Sequence, residues 1–360
     1  MAKNNLSPSQ LTSFLLTSVV TVALLNLAPM FFQAMGRGSW IGILIISVFT
    51  YLLLTLIYIV IKKAGFPTVT TVCQYLLGER LGKSVCLLFS VYLAVLSAIT
   101  LRAFVYIINV YYLPHTPLII VAAFIMLPSL YIALFGLRSL GHASQFIYLF
   151  IIVFFIIFLV AKRNYDICSV FPLFDTKPKL IVNNILPLCF TSAAILGSFY
   201  LFPQITNQKR IPRSILFFSL ISGVMVLVIY FIGLSYFGSV LSELSFPFYH
   251  IDTVHKGRLL ERVDIFYMAI LLPLMGLFLS YWFSTLMEQQ RQIFQNFSEN
   301  HNILLTLIWA ILTILLTVYP SVPKGIWDLY TAGNVANLIV AAIMVLSYIA
   351  YIIKRRCRAF

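Results

Sequence analysis

The chain has 360 residues, 61% of them hydrophobic and 9% charged, with a formal net charge of +14. Soluble domains carry about 25% charged residues, so this much apolar surface cannot be buried in a water-soluble core and must face lipid. The basic residues sit in short loops between apolar runs rather than on one face, which excludes a nucleic-acid surface and fits charge kept on the cytoplasmic side of a membrane.

About 20 apolar residues span a bilayer. Ten such runs are predicted in order: 11–35, 40–61, 84–112, 117–137, 143–161, 185–204, 214–237, 265–287, 303–319 and 329–353. The first run is followed by nine more and reads as an uncleaved span rather than a signal peptide. The expected fold is all-α: a polytopic membrane protein of about ten transmembrane helices, forming a single integral membrane domain over 1–360. Ten divides into five plus five. That predicts two repeats in inverted topology, about 11–161 and about 185–353, in the manner of amino-acid permeases and LeuT-like transporters. Such folds have a broken helix at the start of each half.

Span one carries Asn26-Leu27-Ala28-Pro29 at its middle. Pro29 lacks a backbone donor and clashes one turn back. Span six carries Thr191-Ser192-Ala193-Ala194 and then Gly197-Ser198, with Pro187 before and Pro203 after. Small and hydroxyl residues make unwinding cheap there. Backbone groups freed by a break are tolerated only where they line a cavity. A half-helix N-terminus suits a carboxylate and a half-helix C-terminus an ammonium, so the pair fits a zwitterionic amino acid. The candidate ligand-binding residues are Asn26, Leu27, Ala28, Pro29, Thr191, Ser192, Ala193 and Gly197, with Ser97 and Thr100 on span three. A proline that merely kinks span one is the plainer alternative.

Arg102 is the one charge inside a span. An arginine there costs about 2.5–3.5 kcal/mol on insertion scales, so it is expected to face protein. Tyr106 and Asn109 follow on the same face, and the three form a candidate gate, or a purely structural stripe. The ten acids are expected in loops or at span ends, which argues against proton coupling and tilts the reading toward binding without accumulation. Tyr and Trp at span ends, such as Trp40, Tyr111, Tyr112, Tyr319 and Trp327, read as interfacial belts.

Under an N-inside topology, 14 of the 24 Lys and Arg fall inside, including the run Lys354-Arg355-Arg356, and nine fall outside. Both termini are therefore expected in the cytoplasm. The outside segments 162–184 and 238–264 are long enough for short surface helices and for a docked partner. The five cysteines form no C-x-x-C, and neither a disulfide framework nor a metal site is expected. No H-E-x-x-H, P-loop or G-x-S-x-G is present, so neither enzyme chemistry nor a cofactor is expected.

Several short motifs occur in order. They are Leu6-Ser7-Pro8-Ser9-Gln10-Leu11, Gly36-Arg37-Gly38-Ser39-Trp40 and Leu77-Gly78-Glu79-Arg80-Leu81-Gly82-Lys83. Leu101-Arg102-Ala103-Phe104 then leads to Leu113-Pro114-His115-Thr116-Pro117, and Leu260-Glu261-Arg262-Val263-Asp264 precedes span eight. Together they resemble the spore-germination permease family, the B subunits of nutrient germinant receptors, within the amino acid–polyamine–organocation superfamily. Departures are Thr191-Ser192-Ala193-Ala194-Ile195-Leu196-Gly197 where the family usually has an acidic or Gly-rich segment in span six, Gly38 where an acid often follows Arg37, and Leu272-Pro273 where the family commonly has Trp. The resemblance implies a small-molecule germinant, typically an amino acid, bound near the breaks in helices one and six. It also implies a membrane-embedded A subunit and a lipoprotein C subunit as partners, in the inner membrane of an endospore. An ordinary amino acid permease and a structural subunit with a vestigial pocket are the alternatives.

Overall fold

The computed structural model describes residues 6–160, 167–173, 176–244, 246–247, 263–294, 299–318 and 323–357. The Leu260-Glu261-Arg262 part of the motif before span eight, together with Tyr319 and Arg358, lies outside them. The described residues are almost entirely helical, and each expected span corresponds to a helix or a pair of helices.

Span one is α1 (Pro8–Val22), a wide turn over Ala23–Leu27, and α2 (Ala28–Met35). Ser7 caps α1 through a capping box with Gln10. The chain turns at Gly36, whose φ of +67 disfavours other residues, into α3 (Ser39–Ala64). A short helix, α4 (Val69–Leu77), leads to α5 (Glu79–Tyr111) and α6 (Leu118–Leu134). Span five is α7 (Gly136–Ser144) and α8 (Ile147–Val160), which begins seven residues before the expected 143.

The second half opens on α9 (Pro178–Asn184), an unwound stretch, and α10 (Ser192–Leu201). It continues with α11 (Ile211–Phe237), α12 (Val263–Ile293), α13 (Glu299–Thr317) and α14 (Pro323–Cys357). Both halves therefore start with a broken span, as an amino-acid-permease-like fold requires. Seven helical stretches among the described residues are long and apolar enough to cross a membrane. One of them, Pro8–Ala64, holds two spans; Leu118–Leu134 and the α9–α10 pair complete ten. The protein is thus a multi-pass membrane protein, and its exposed leucines and isoleucines, such as Leu52, Leu88 and Ile120, are lipid-facing surface.

The first broken span and α10 lie at the centre. Thirteen of the 15 residues of α1 are buried, against α11, α12 and α10. Where helices meet tightly, small and hydroxyl side chains serve. Ser280 on α12 donates to the carbonyl of Ser129 at 2.8 Å, and Ser284 to that of Ala133 at 3.3 Å.

Candidate functional site

The break in span one centres on Asn26, whose φ/ψ of −158/15 is not helical. The cause is Pro29. It offers no N–H to the carbonyl of Leu25 and its ring crowds that carbonyl, so the helix widens over Ala23–Leu27 before restarting. Asn26, Leu27, Ala28 and Pro29 are all buried.

Span six breaks earlier than expected. The unwound stretch runs from Ile185 to Thr191 around Pro187, and Ser192–Leu201 is regular helix. Gly197 therefore lies a turn and a half inside α10. Its role is close packing: a Cβ there would stand 2.3 Å from the hydroxyl of Tyr281, which donates to the carbonyl of Gly197 at 3.0 Å. The Pro178–Asn184 helix, expected in a surface loop, is the first half of this broken span.

Polar side chains hold the unwound stretch. Thr191 and Thr50 share a hydrogen bond of 2.6 Å. Ser192 donates to Asn334 Oδ1 at 2.7 Å and accepts from Asn337 Nδ2 at 3.1 Å. Asn334 Nδ2 also donates to the carbonyl of Pro187 at 2.9 Å, and Tyr92 donates to Asn337 Oδ1 at 2.6 Å. Asn334 and Asn337, three residues apart, share one face of α14. They tie the break to α14 and, through Tyr92, to α5. Neither asparagine nor Tyr92 was singled out from the sequence. The signal was there: two amides three residues apart in an apolar span.

A cavity of about 400 Å³, counting its opening, sits beside this network. Val22 at the end of α1 and Ala193 at the start of α10 face it, with Thr100 on α5, Trp282 on α12, and Tyr330 and Asn334 on α14. The indole N–H of Trp282 is buried without a partner. No lining residue is charged. Of the expected ligand residues, Thr100 and Ala193 line the cavity, and Thr191 and Ser192 brace its wall. Asn26, Leu27, Ala28 and Pro29 form the adjoining break without lining it. Ala28 packs toward Gly233 on α11. Ser97 is buried and donates to the carbonyl of Leu93 within its own helix.

Arg102 is buried as expected, at 3% exposure. It lies seven residues past the middle of α5, about 10 Å by helical rise. Tyr106 packs on Phe246 with ring centroids 5.8 Å apart. Asn109 donates to the carbonyls of Leu113 and Thr116 at 3.2 and 2.7 Å, holding the turn after α5. Asn109 is thus placed as a helix-end brace. Among the described residues no three His, Cys, Asp or Glu side chains come together as a metal would require.

Two interrupted spans meeting beside a cavity define a transporter-type membrane fold. Solved structures share it: two mutants of the Eremococcus coleocola manganese transporter align at 14% identity, with TM-scores of 0.53 and 0.50. They cover 96% and 95% of this chain and 78% of theirs. The family model described as "Spore germination protein" matches residues 5–324, and the chain belongs to that family. In Bacillus subtilis (strain 168), "Putative spore germination protein YfkT" is 26% identical over 198 residues, 53% of each chain. "Spore germination protein KB" of the same organism is 26% identical over 257 residues, 66% of this chain and 65% of that one. The match thus spans about half to two thirds of these relatives' lengths.

Proposed function

We propose that the chain is the B subunit of a spore nutrient germinant receptor, residing in the spore inner membrane with both termini on the core side. A small germinant binds between the end of α1 and the start of α10, and the bound state is passed to an A subunit and a lipoprotein C subunit. The observation carrying this reading is the cavity's position. Val22 and Ala193 put the C-terminal end of one half-helix and the N-terminal end of another on the same space. The first favours an ammonium and the second a carboxylate.

The uncharged lining suits a molecule with no net charge and an apolar side chain, a neutral amino acid. Free space inside is narrow, so binding requires the walls to move. That movement is the signal: a ligand shifts a conformational balance only by its differential affinity for the two states. The wall most directly involved is the Ile185–Thr191 stretch, held by Asn334.

The test is germination of spores carrying Ala193→Phe, which fills the cavity from its α10 wall. The expected outcome is loss of the nutrient response with the protein still present in the membrane. An unchanged response refutes the placement. The transporter fold favours a second reading, solute uptake. Proteoliposomes loaded with the purified chain distinguish the two: a receptor accumulates no labelled amino acid above empty vesicles, whereas uptake supports the permease.

A further inference from the structure

A second cavity, of about 380 Å³ counting its opening, lies at the end of the bundle where Leu6 bonds Gln204 and Lys354 bonds the α4 helix. Thr68, Val69 and Thr70 before and within α4 form one wall, Phe199–Leu201 of α10 another, and α12 the third. On α12 the lining residues are Thr285, Glu288, Gln289 and Gln292, which share one helical face by their spacing. Glu288, expected at a span end, lies five residues before the last residue of α12, Ile293.

This cavity presents several oxygen atoms that can accept. Gln289 is 2% exposed, and its amide N–H donates to the carbonyl of Cys86 at 2.8 Å. That bond fixes the amide's orientation and leaves Oε1 as the group without a partner. The Tyr200 hydroxyl, a donor as well as an acceptor, is also buried without a partner, so its oxygen is available. Glu288 adds a carboxylate, which among the described residues accepts a hydrogen bond from Gln292 Nε2 at 3.4 Å. Thr285 spends its proton on the carbonyl of Tyr281 at 2.9 Å, so toward the cavity it too is an acceptor. Buried oxygen atoms without donors are costly, and a group that supplies donors or positive charge relieves them.

We propose that this cavity binds one monovalent cation, an alkali ion or a small primary ammonium, between the Glu288 carboxylate and the oxygens of Gln289 and Tyr200. The site is separate from the central cavity, with which it shares no lining residue. A cation there would join α10 to α12 and to the chain before α4. It would thus bear on α10, the half-helix whose first turn carries Ala193.

The experiment is thermal unfolding of the purified full-length chain in detergent, titrated with sodium, potassium or methylammonium chloride against choline chloride at equal ionic strength. The proposal expects at least one of the three to raise the melting temperature above choline, and the three arms separate an inorganic ion from an ammonium. Glu288→Gln abolishes the rise. Tyr200→Phe removes an oxygen that bonds nothing in the structure, so it leaves the salt-free protein folded but moves the midpoint to about threefold higher salt or more. Ala193→Phe keeps the rise, which distinguishes this site from the central one. No rise over choline, or a rise that Glu288→Gln retains, overturns the proposal.

Discussion

Gly197 looks like a helix breaker in the sequence and acts as a spacer in the structure. The hydroxyl of Tyr281 occupies the place a side chain would take. Gly197→Ala is therefore expected to lower stability by about 1–3 kcal/mol, the usual cost of overpacking, measured as a fall in melting temperature in detergent. A bulkier residue there would report misfolding rather than a blocked pocket, so Ala193 is the better probe of binding. Asn337 illustrates the opposite case. Asn337→Leu fits an apolar span, yet it strips partners from Tyr92 and Ser192 together. The expected loss is about 1–3 kcal/mol, and Tyr92→Phe in the same background should recover part of it. These roles were illegible in the sequence because each depends on a partner between 84 and 245 residues away.

At the scale of elements, the two breaks differ in how well the sequence announces them. Pro29 acts on the turn before it by its own covalent geometry, so the break at Asn26 was legible from local sequence. The break in span six was placed a few residues late. Hydroxyl and small residues from Thr191 onward permit unwinding but do not compel it, and Ser192–Leu201 stays helical under tertiary packing. What unwinds is the stretch around Pro187, where Asn334 and Thr50 supply the hydrogen bonds the backbone and Thr191 require. Restoring the missing donor tests the first break: Pro29→Ala is expected to straighten span one. Paired spin labels on α1 and α2 would then read a longer, narrower distance distribution, and an unaltered distribution would show that Pro29 is not the cause.

Over the whole molecule, both ends of the helix bundle are fastened. At one end Leu6 exchanges backbone hydrogen bonds of 3.0 Å with Gln204 and Thr206, joining the start of α1 to the end of span six. There too Lys354 donates to the carbonyls of Tyr75 and Leu76 at 3.2 Å, and Arg355 to that of Ala64 at 3.1 Å. At the other end Arg37 and Trp40 bond the carbonyls of Phe171 and Leu173. Hydrogen bonds thus tie neighbouring segments together at both ends of the bundle. The ten spans were legible from hydropathy because lipid demands long apolar runs whatever the packing. Of the cavity, Thr100 and Ala193 were legible beside the expected breaks, whereas Trp282 and Asn334 come from two further helices that only folding brings to them. The central claim is that a neutral amino acid binds between α1 and α10. It is tested most directly by thermal unfolding of the purified chain against the twenty amino acids, in wild type and Ala193→Phe. The account predicts that some neutral, apolar amino acids raise the melting temperature of the wild type and that none does so in the variant. Equal shifts in the two proteins, or no shift in either, would contradict it.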